Sequence, residues 1–184
     1  FQKKYLNILS IGRLVEQKDH KTLLKSLEFI NTNIKYRLLI IGDGEEKFNI
    51  LNTIKDKDLQ DRVKIIKFQR NIYPYINQAD IFILTSRYEG PPNVLIECLA
   101  LKKIIISTNC KTGPSEILNN GKFGKLIKVG EYKKLGKLIT DIRNNYSYYS
   151  QVAKNGHKSI YRFNYQINCK KYLKEIKKFL WKKK

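Results

Sequence analysis

Short apolar runs alternate along this chain with stretches in which apolar residues recur every three or four positions. The runs have strand length and the periodic stretches have helix spacing, so the pattern reads as repeated βαβ units. Strands are predicted at 5–11, 37–41, 63–68, 81–84, 104–107 and 124–127. Helices are predicted from Asp19 to about residue 30, from the turn Gly42-Asp43-Gly44 to about 59, and around 74–78. Further helices follow from Asn93 to about 101 and at 132–145, 148–156 and 165–181. Leu23, Leu24, Leu27 and Ile30 share one face of the first helix, which Asp19 can cap. Six strands joined by helical crossovers imply an α/β fold. The sheet is expected to be parallel, doubly wound and Rossmann-like, with helices on both faces and a helical C-terminus.

The chain's 184 residues suit one α/β domain, and no repeat or low-complexity linker divides them. Residues 1–184 are therefore read as a single domain ending in a basic helix over 165–184. The longest apolar runs, Leu38-Leu39-Ile40-Ile41 and Ile81-Phe82-Ile83-Leu84, are too short to span a bilayer. No secretory leader is expected, and the lack of an initiator Met suggests a segment of a longer protein. Cys98, Cys110 and Cys169 match no metal-ligand spacing and are read as reduced thiols of a cytoplasmic protein.

Charge changes the picture more. Thirty-seven basic against sixteen acidic residues give a net charge of +21. Two readings stay open: a compositional bias toward Lys, Ile, Asn and Tyr, or attraction to anions such as nucleotide phosphates, an anionic membrane or nucleic acid. A nucleic-acid module would explain the charge, but none of the motifs of such folds is present.

In a doubly wound sheet the ligand sits at the carboxyl ends of the strands. After the first predicted strand, Gly12 allows a close turn while Arg13 and Lys18 set two cations beside a helix start, a combination suited to a diphosphate. Both are also consistent with ordinary surface cations. Gly42-Asp43-Gly44 lacks the third glycine of a dinucleotide fingerprint. It reads first as a tight turn with Asp43 in an awkward backbone conformation, although Gly42 stays a candidate for ligand approach. Glu45 and Glu46 beside it would repel phosphate. The most informative segment is Glu89-Gly90-Pro91-Pro92-Asn93-Val94-Leu95-Ile96-Glu97. Glu89 lies in the loop and Glu97 one turn beyond Asn93, so two carboxylates can face one cleft and accept bonds from sugar hydroxyls, with free helix N–H groups between them.

The order and spacing of several segments resemble family 4 of the retaining GT-B glycosyltransferases, in their C-terminal, donor-binding domain. The segments are Ile11-Gly12-Arg13-Leu14 with Gln17-Lys18, Ile41-Gly42-Asp43-Gly44, and Ala79-Asp80-Ile81-Phe82-Ile83-Leu84. They continue through Ser86-Arg87-Tyr88-Glu89-Gly90, Pro92-Asn93-Val94-Leu95-Ile96-Glu97 and Gly113-Pro114-Ser115-Glu116-Ile117-Leu118. The resemblance runs from about residue 7 to 130. It implies that Arg13 and Lys18 neutralise the donor diphosphate and that Gly12 supports their loop. It further implies that Glu89 binds the donor sugar, that Glu97 binds the ribose, and that the backbone of Gly90, Asn93 and Val94 lies against sugar and phosphates. Arg13, Lys18 and Glu89 are thus the expected catalytic residues, and Gly12, Gly42, Gly90, Asn93, Val94 and Glu97 the expected binding residues. No metal and no cofactor are expected, because cations and a helix terminus take the metal's place; the donor is expected to be a UDP-sugar.

Three positions depart from the family pattern. Asp19 stands where Gly is common, Gln69 near another common Gly, and Pro91 where an aromatic residue is usual. With Pro92, Pro91 removes two successive N–H donors, which opens the alternative of a non-catalytic or degenerate domain. The resemblance implies an acceptor-binding N-terminal domain elsewhere in the same enzyme, transfer in surface polysaccharide or glycolipid synthesis, and no activity from this domain alone. For the last helix, with Tyr172, Ile176, Phe179 and Leu180 on one side, two partners stay open: that N-terminal domain, or an anionic membrane surface carrying a lipid-linked acceptor.

Overall fold

The structure, a computed structural model, describes residues 4–181. Its strands are β1 (Leu6–Ile11), β2 (Tyr36–Ile41), β3 (Val63–Ile66), β4 (Ile81–Leu84), β5 (Ile104–Thr108) and β6 (Lys125–Ile127). Its α-helices are α1 (His20–Ser26), α2 (Lys47–Asp56), α3 (Tyr73–Gln78), α4 (Asn93–Ala100) and α5 (Pro114–Ile117). Three more follow: α6 (Tyr132–Asn144), α7 (Tyr146–Lys158) and α8 (Tyr165–Trp181). The strands lie in the order β3-β2-β1-β4-β5-β6, and all neighbours are parallel. The chain winds outward from β1 to β3, then restarts at β4 on the other side of β1. The switch between β1 and β4 opens the ligand crevice of such sheets.

Both faces of the sheet are covered, so successive strand residues serve two cores. Ile8, Leu38, Ile40, Ile81, Ile83 and Ile106 point to one cluster, where Leu23 and Leu24 of α1, Ile50 of α2 and Ile139 of α6 meet them. Leu9, Ile41, Phe82, Leu84 and Ile105 point to the other, with Ile76 of α3, Leu95, Cys98 and Leu99 of α4 and Ile117 of α5. Each such fully buried side chain contributes about 1.5–3 kcal/mol. Close packing constrains the helices as well: a Cβ on Gly136 would stand 2.3 Å from the Ser26 carbonyl, so only glycine lets α6 lie this near α1.

Several expected boundaries move. The second helix ends at Asp56, not near 59, because Asp58 turns left-handed at φ +49 and Leu59 enters the core from the loop. The third strand stops at Ile66, since Phe68 is 75% exposed. α7 is longer than the expected 148–156, and the one-turn helix α5 was not expected at all. The C-terminal helix runs as predicted to Trp181; residues 182–184 of the predicted basic segment lie outside the described residues. Every α8 residue from Tyr165 to Leu180 is exposed, including the stripe of Tyr172, Ile176, Phe179 and Leu180. No helix among the described residues is long and apolar enough to cross a membrane.

Candidate functional site

The loop leaving β1 lies on the loop leaving β2. Gly12 N–H donates to the Ile41 carbonyl (3.0 Å), Leu14 N–H to the Asp43 carbonyl (2.9 Å), and Glu46 N–H to the Leu14 carbonyl (2.8 Å). A Cβ on Gly42 would fall 1.9 Å from the Gly12 carbonyl oxygen, and one on Gly44 2.5 Å from that of Leu14. Gly42 is thereby accounted for as the seat of the Gly12 loop. Asp43 is not in the awkward conformation expected of it: it has no positive φ. Its carboxylate accepts from Gly44 N–H at 3.1 Å and pairs with Lys47 at 3.3 Å. The Gly44 bond first, then Lys47, hold its carboxyl below the usual range.

Beyond Leu14 the chain makes a 3-10 turn, Glu16–Lys18, that ends at Asp19 with φ +46, a left-handed backbone. That conformation explains why glycine suits this position and why Asp is tolerated. Asp19 also caps α1 as predicted, accepting from Thr22 N–H (3.2 Å) and Thr22 Oγ1 (2.9 Å).

Between β1 and β4 the strand register extends only over Ile8–Ile81 and Leu9–Phe82. Past that point the two loops are joined by side chains and loop backbone instead. Lys18 Nζ meets Glu89 Oε1 at 2.5 Å, and Ser86 Oγ donates to the same oxygen at 2.6 Å. Thr85 Oγ1 donates to the Lys18 carbonyl (3.0 Å), Arg87 N–H to the Gln17 carbonyl (2.8 Å), and Gln17 Nε2 to the Tyr88 carbonyl (2.9 Å). Arg87 adds ion pairs to Glu16 (2.7 Å) and Asp19 (3.6 Å). The Gly12 backbone adjoins this cluster, since a Cβ there would touch the Lys18 stem at 3.3 Å.

The loop leaving β5 closes the third side. Thr112 Oγ1 donates to the Glu89 carbonyl at 2.6 Å, and Thr108 Oγ1 to that of Ser86 at 2.6 Å. Gly113, at φ +86, passes so near that a Cβ would sit 2.3 Å from the Gly90 oxygen and 2.6 Å from Pro92 Cδ. Gly90 itself borders open space, with nothing within 4 Å of where its Cβ would be. Pro92 is the N-cap of α4, and the N–H groups of Asn93 and Val94 find no acceptor among the described residues. One turn further, the Glu97 carboxylate makes no hydrogen bond or ion pair among the described residues, and burial pushes it above the usual range.

The structure thus brings Gly12, Lys18, Glu89 and Gly90 into one cluster, with Asn93, Val94 and Glu97 on the adjoining helix. Arg13 is exposed at the same loop and has no ion pair among the described residues. Sequence reasoning named Ser86 and Arg87 only as part of a family segment and missed their bracing bonds and that of Thr112; Arg87 reaches Glu16 and Thr112 reaches Glu89 across long stretches of chain, while Ser86 binds the nearby Glu89. His20, which falls on no motif of the family, is a buried imidazole pushed down to about 4 by burial and then by Lys18, so it is neutral at ordinary pH. Cys110 lies near Glu89 and Lys18, and burial raises its thiol. The described residues contain no group of three or more His, Cys, Asp or Glu able to hold a metal.

The Glycosyl transferases group 1 family model matches residues 1–159. An N-acetylgalactosamine-N,N'-diacetylbacillosaminyl-diphospho-undecaprenol 4-alpha-N-acetylgalactosaminyltransferase of Campylobacter jejuni is 36% identical over 122 residues, covering 66% of this chain and 33% of the relative. The amylovoran biosynthesis glycosyltransferase AmsD of Erwinia amylovora is 38% identical over 120 residues, covering 65% and 34%. Among solved structures, S. aureus TarM in complex with fondaparinux, alpha-GlcNAc-glycerol and UDP superposes with a TM-score of 0.86 at 22% identity, over 94% of this chain and 35% of TarM. The chain therefore spans about a third of the length of the relatives it matches.

Proposed function

The chain belongs to the Glycosyl transferases group 1 family, and we propose that it is the half of such an enzyme that binds a nucleoside-diphosphate sugar, with UDP as the nucleotide. The observation that carries this reading is the Lys18–Glu89 pair at 2.5 Å, which sets a phosphate-type cation against a sugar-type acceptor at the switch of the sheet. The pair neutralises itself in the free site and divides when a donor enters, Lys18 turning to the diphosphate and Glu89 to sugar hydroxyls. Arg13 supplies the second cation. Glu97, without a partner among the described residues and raised by burial, takes the ribose hydroxyls. The N–H groups of Asn93 and Val94, with Gly90 leaving room for approach, complete the cradle. Gly42 acts through its packing under Gly12.

In the transfer the bond from the anomeric carbon to the diphosphate breaks, a bond to the acceptor oxygen forms with retained configuration, and the acceptor hydroxyl's proton passes to the departing diphosphate. Negative charge grows on the departing diphosphate, where Arg13, Lys18 and the helix amides stabilise it without a metal. The acceptor is held by a further, N-terminal domain. The C. jejuni relative is named for a diphospho-undecaprenol-linked substrate, which supports a lipid-linked or surface-polysaccharide acceptor at the cytoplasmic membrane face.

Titration of the chain with UDP, UDP-sugars and other nucleotides tests this. Without the second domain, micromolar-to-millimolar affinity is expected, about −4 to −8 kcal/mol, with no sugar transfer. Unchanged binding in both Arg13→Ala and Lys18→Ala overturns the diphosphate assignment. One observation favours a second reading. Pro91 and Pro92 offer no N–H to the donor, as befits a domain that binds without catalysing. Transfer by the longer protein decides against it.

A further inference from the structure

Resting on the donor-site reading above, we propose that Arg87 is the positioning residue of the site. It braces the Glu16–Lys18 turn and so fixes where the Lys18 ammonium stands. Arg87 holds the turn through two kinds of bond at once. Its backbone N–H binds the Gln17 carbonyl at 2.8 Å, and its guanidinium spans Glu16 at 2.7 Å and Asp19 at 3.6 Å, one residue on either side of Gln17-Lys18. Asp19 is itself 8% exposed and fixed by its cap on α1, so the fork ties the short turn to the start of that helix. A planar, always-charged fork suits that double grip, which an ammonium cannot reproduce.

Arg87 works from behind the turn. It lines a cavity of about 290 Å³ with Glu16, Asp19, His20, Lys21 and Glu46, and neither Lys18 nor Glu89 opens into it. On the proposed reading it therefore acts on donor binding by placing Lys18 and not by contact with the donor. The Glu16 half of the brace is separable from folding: the Arg87 and Glu16 side chains are 47% and 72% exposed, and exposed pairs contribute little to stability. The Asp19 side chain is only 7% exposed, so that half also bears on the α1 cap.

The test is a double-mutant cycle on the intact chain, titrating UDP into the unaltered protein, Arg87→Ala, Lys18→Ala and the double variant, with thermal midpoints recorded for each. Arg87→Ala is expected to weaken UDP about fivefold, with any fall in the midpoint equal in both Lys18 backgrounds, and to have no further effect on UDP once Lys18 is alanine. Glu16→Gln should show a part of the same loss at an unchanged midpoint, and Arg87→Lys should restore a part by re-pairing with Glu16. Equal binding by Arg87→Ala and the unaltered chain overturns the brace while leaving the donor site standing. So does an equal loss of UDP affinity in both Lys18 backgrounds, which marks a general structural role. Absence of UDP binding by the unaltered chain removes the donor-site reading itself, and the brace with it.

Discussion

The two ends of the crevice are built differently. At the β1–β4 end, where strand pairing stops at Leu9 and Phe82, Lys18, Glu89, Ser86, Thr85 and Arg87 tie the loops together, and Thr112 adds the β5 loop. At the β3 end, Phe68 is 75% exposed, Arg70 is exposed, and the bonds of Gln69 and Asn71 stay within the neighbouring loop and helix. Charge and hydroxyl chemistry thus stand preformed at one end, while the other offers an unsupported aromatic. A diphosphate and a sugar need groups held before they arrive; a base face needs only a flat surface and can choose among several.

The contrast breaks most visibly at the seat of the tied end. Gly42→Ala places a methyl against the Gly12 carbonyl, with the Cβ 1.9 Å away before relaxation. We expect a loss of about 2–3 kcal/mol in urea unfolding, and weaker nucleotide binding in whatever remains folded. An unchanged midpoint would mean that the Gly12 loop is free to lift, and that the tied end is not rigid.

Next in size is Lys18→Ala. On the proposed reading it removes a charged partner from the diphosphate, and it leaves the Glu89 carboxylate, whose side chain is 7% exposed, with Ser86 alone. A charge-assisted bond is worth about 1.5–3 kcal/mol, so UDP affinity should fall at least about tenfold. The sharper readout is the ratio of UDP to UMP affinity. It should collapse in this variant, because what is lost belongs to the second phosphate.

How far these features could be read from the sequence follows the same division. The strands were legible because Ile81-Phe82-Ile83-Leu84 and its counterparts are runs that only two covered faces explain. The short turns were not: Glu16–Lys18 and α5 are single turns, which have no periodicity to detect. Phe68 reads as a strand residue because an exposed aromatic looks like a buried one in sequence. Glu89, Glu97, Arg13 and Lys18 stand out in sequence through motif order, yet the pairing of Lys18 with Glu89 joins residues 71 apart and has no local signature. Asp43 was misjudged because the strain of the turn falls on the close approach of Gly44 to Leu14.

A third and smaller effect comes from pH. Burial raises the Glu97 carboxyl above the value it would have unfolded. An acid raised in this way favours folding most when protonated, and it loses that contribution as pH climbs from the unfolded value through the folded one. If Glu97 takes the ribose as proposed, binding has the opposite sign, since the ionised carboxylate is the better acceptor for two hydroxyls. UDP affinity should therefore decline as pH falls through the raised Glu97 range, and Glu97→Gln should flatten that decline. 2'-Deoxy-UDP, which lacks one of the hydroxyls, should respond less. Equal pH responses of the two nucleotides would remove Glu97 from the ribose.

The smallest effect is expected at the open end, and its pattern matters more than its size. Phe68→Ala deletes a ring that is 75% exposed, so folding stability should shift by no more than about 0.5 kcal/mol. If the base stacks on Phe68, affinity drops by about 1 kcal/mol, and by the same factor for uridine, UMP and UDP, because the phosphates are untouched. Lys18→Ala is expected to separate UMP from UDP, and Phe68→Ala to leave their ratio alone. A crevice whose two ends act independently requires these losses to add in the double variant. A shortfall from additivity would show that the base-side loop is ordered by the diphosphate, and that the open end becomes structured only after the tied end is filled.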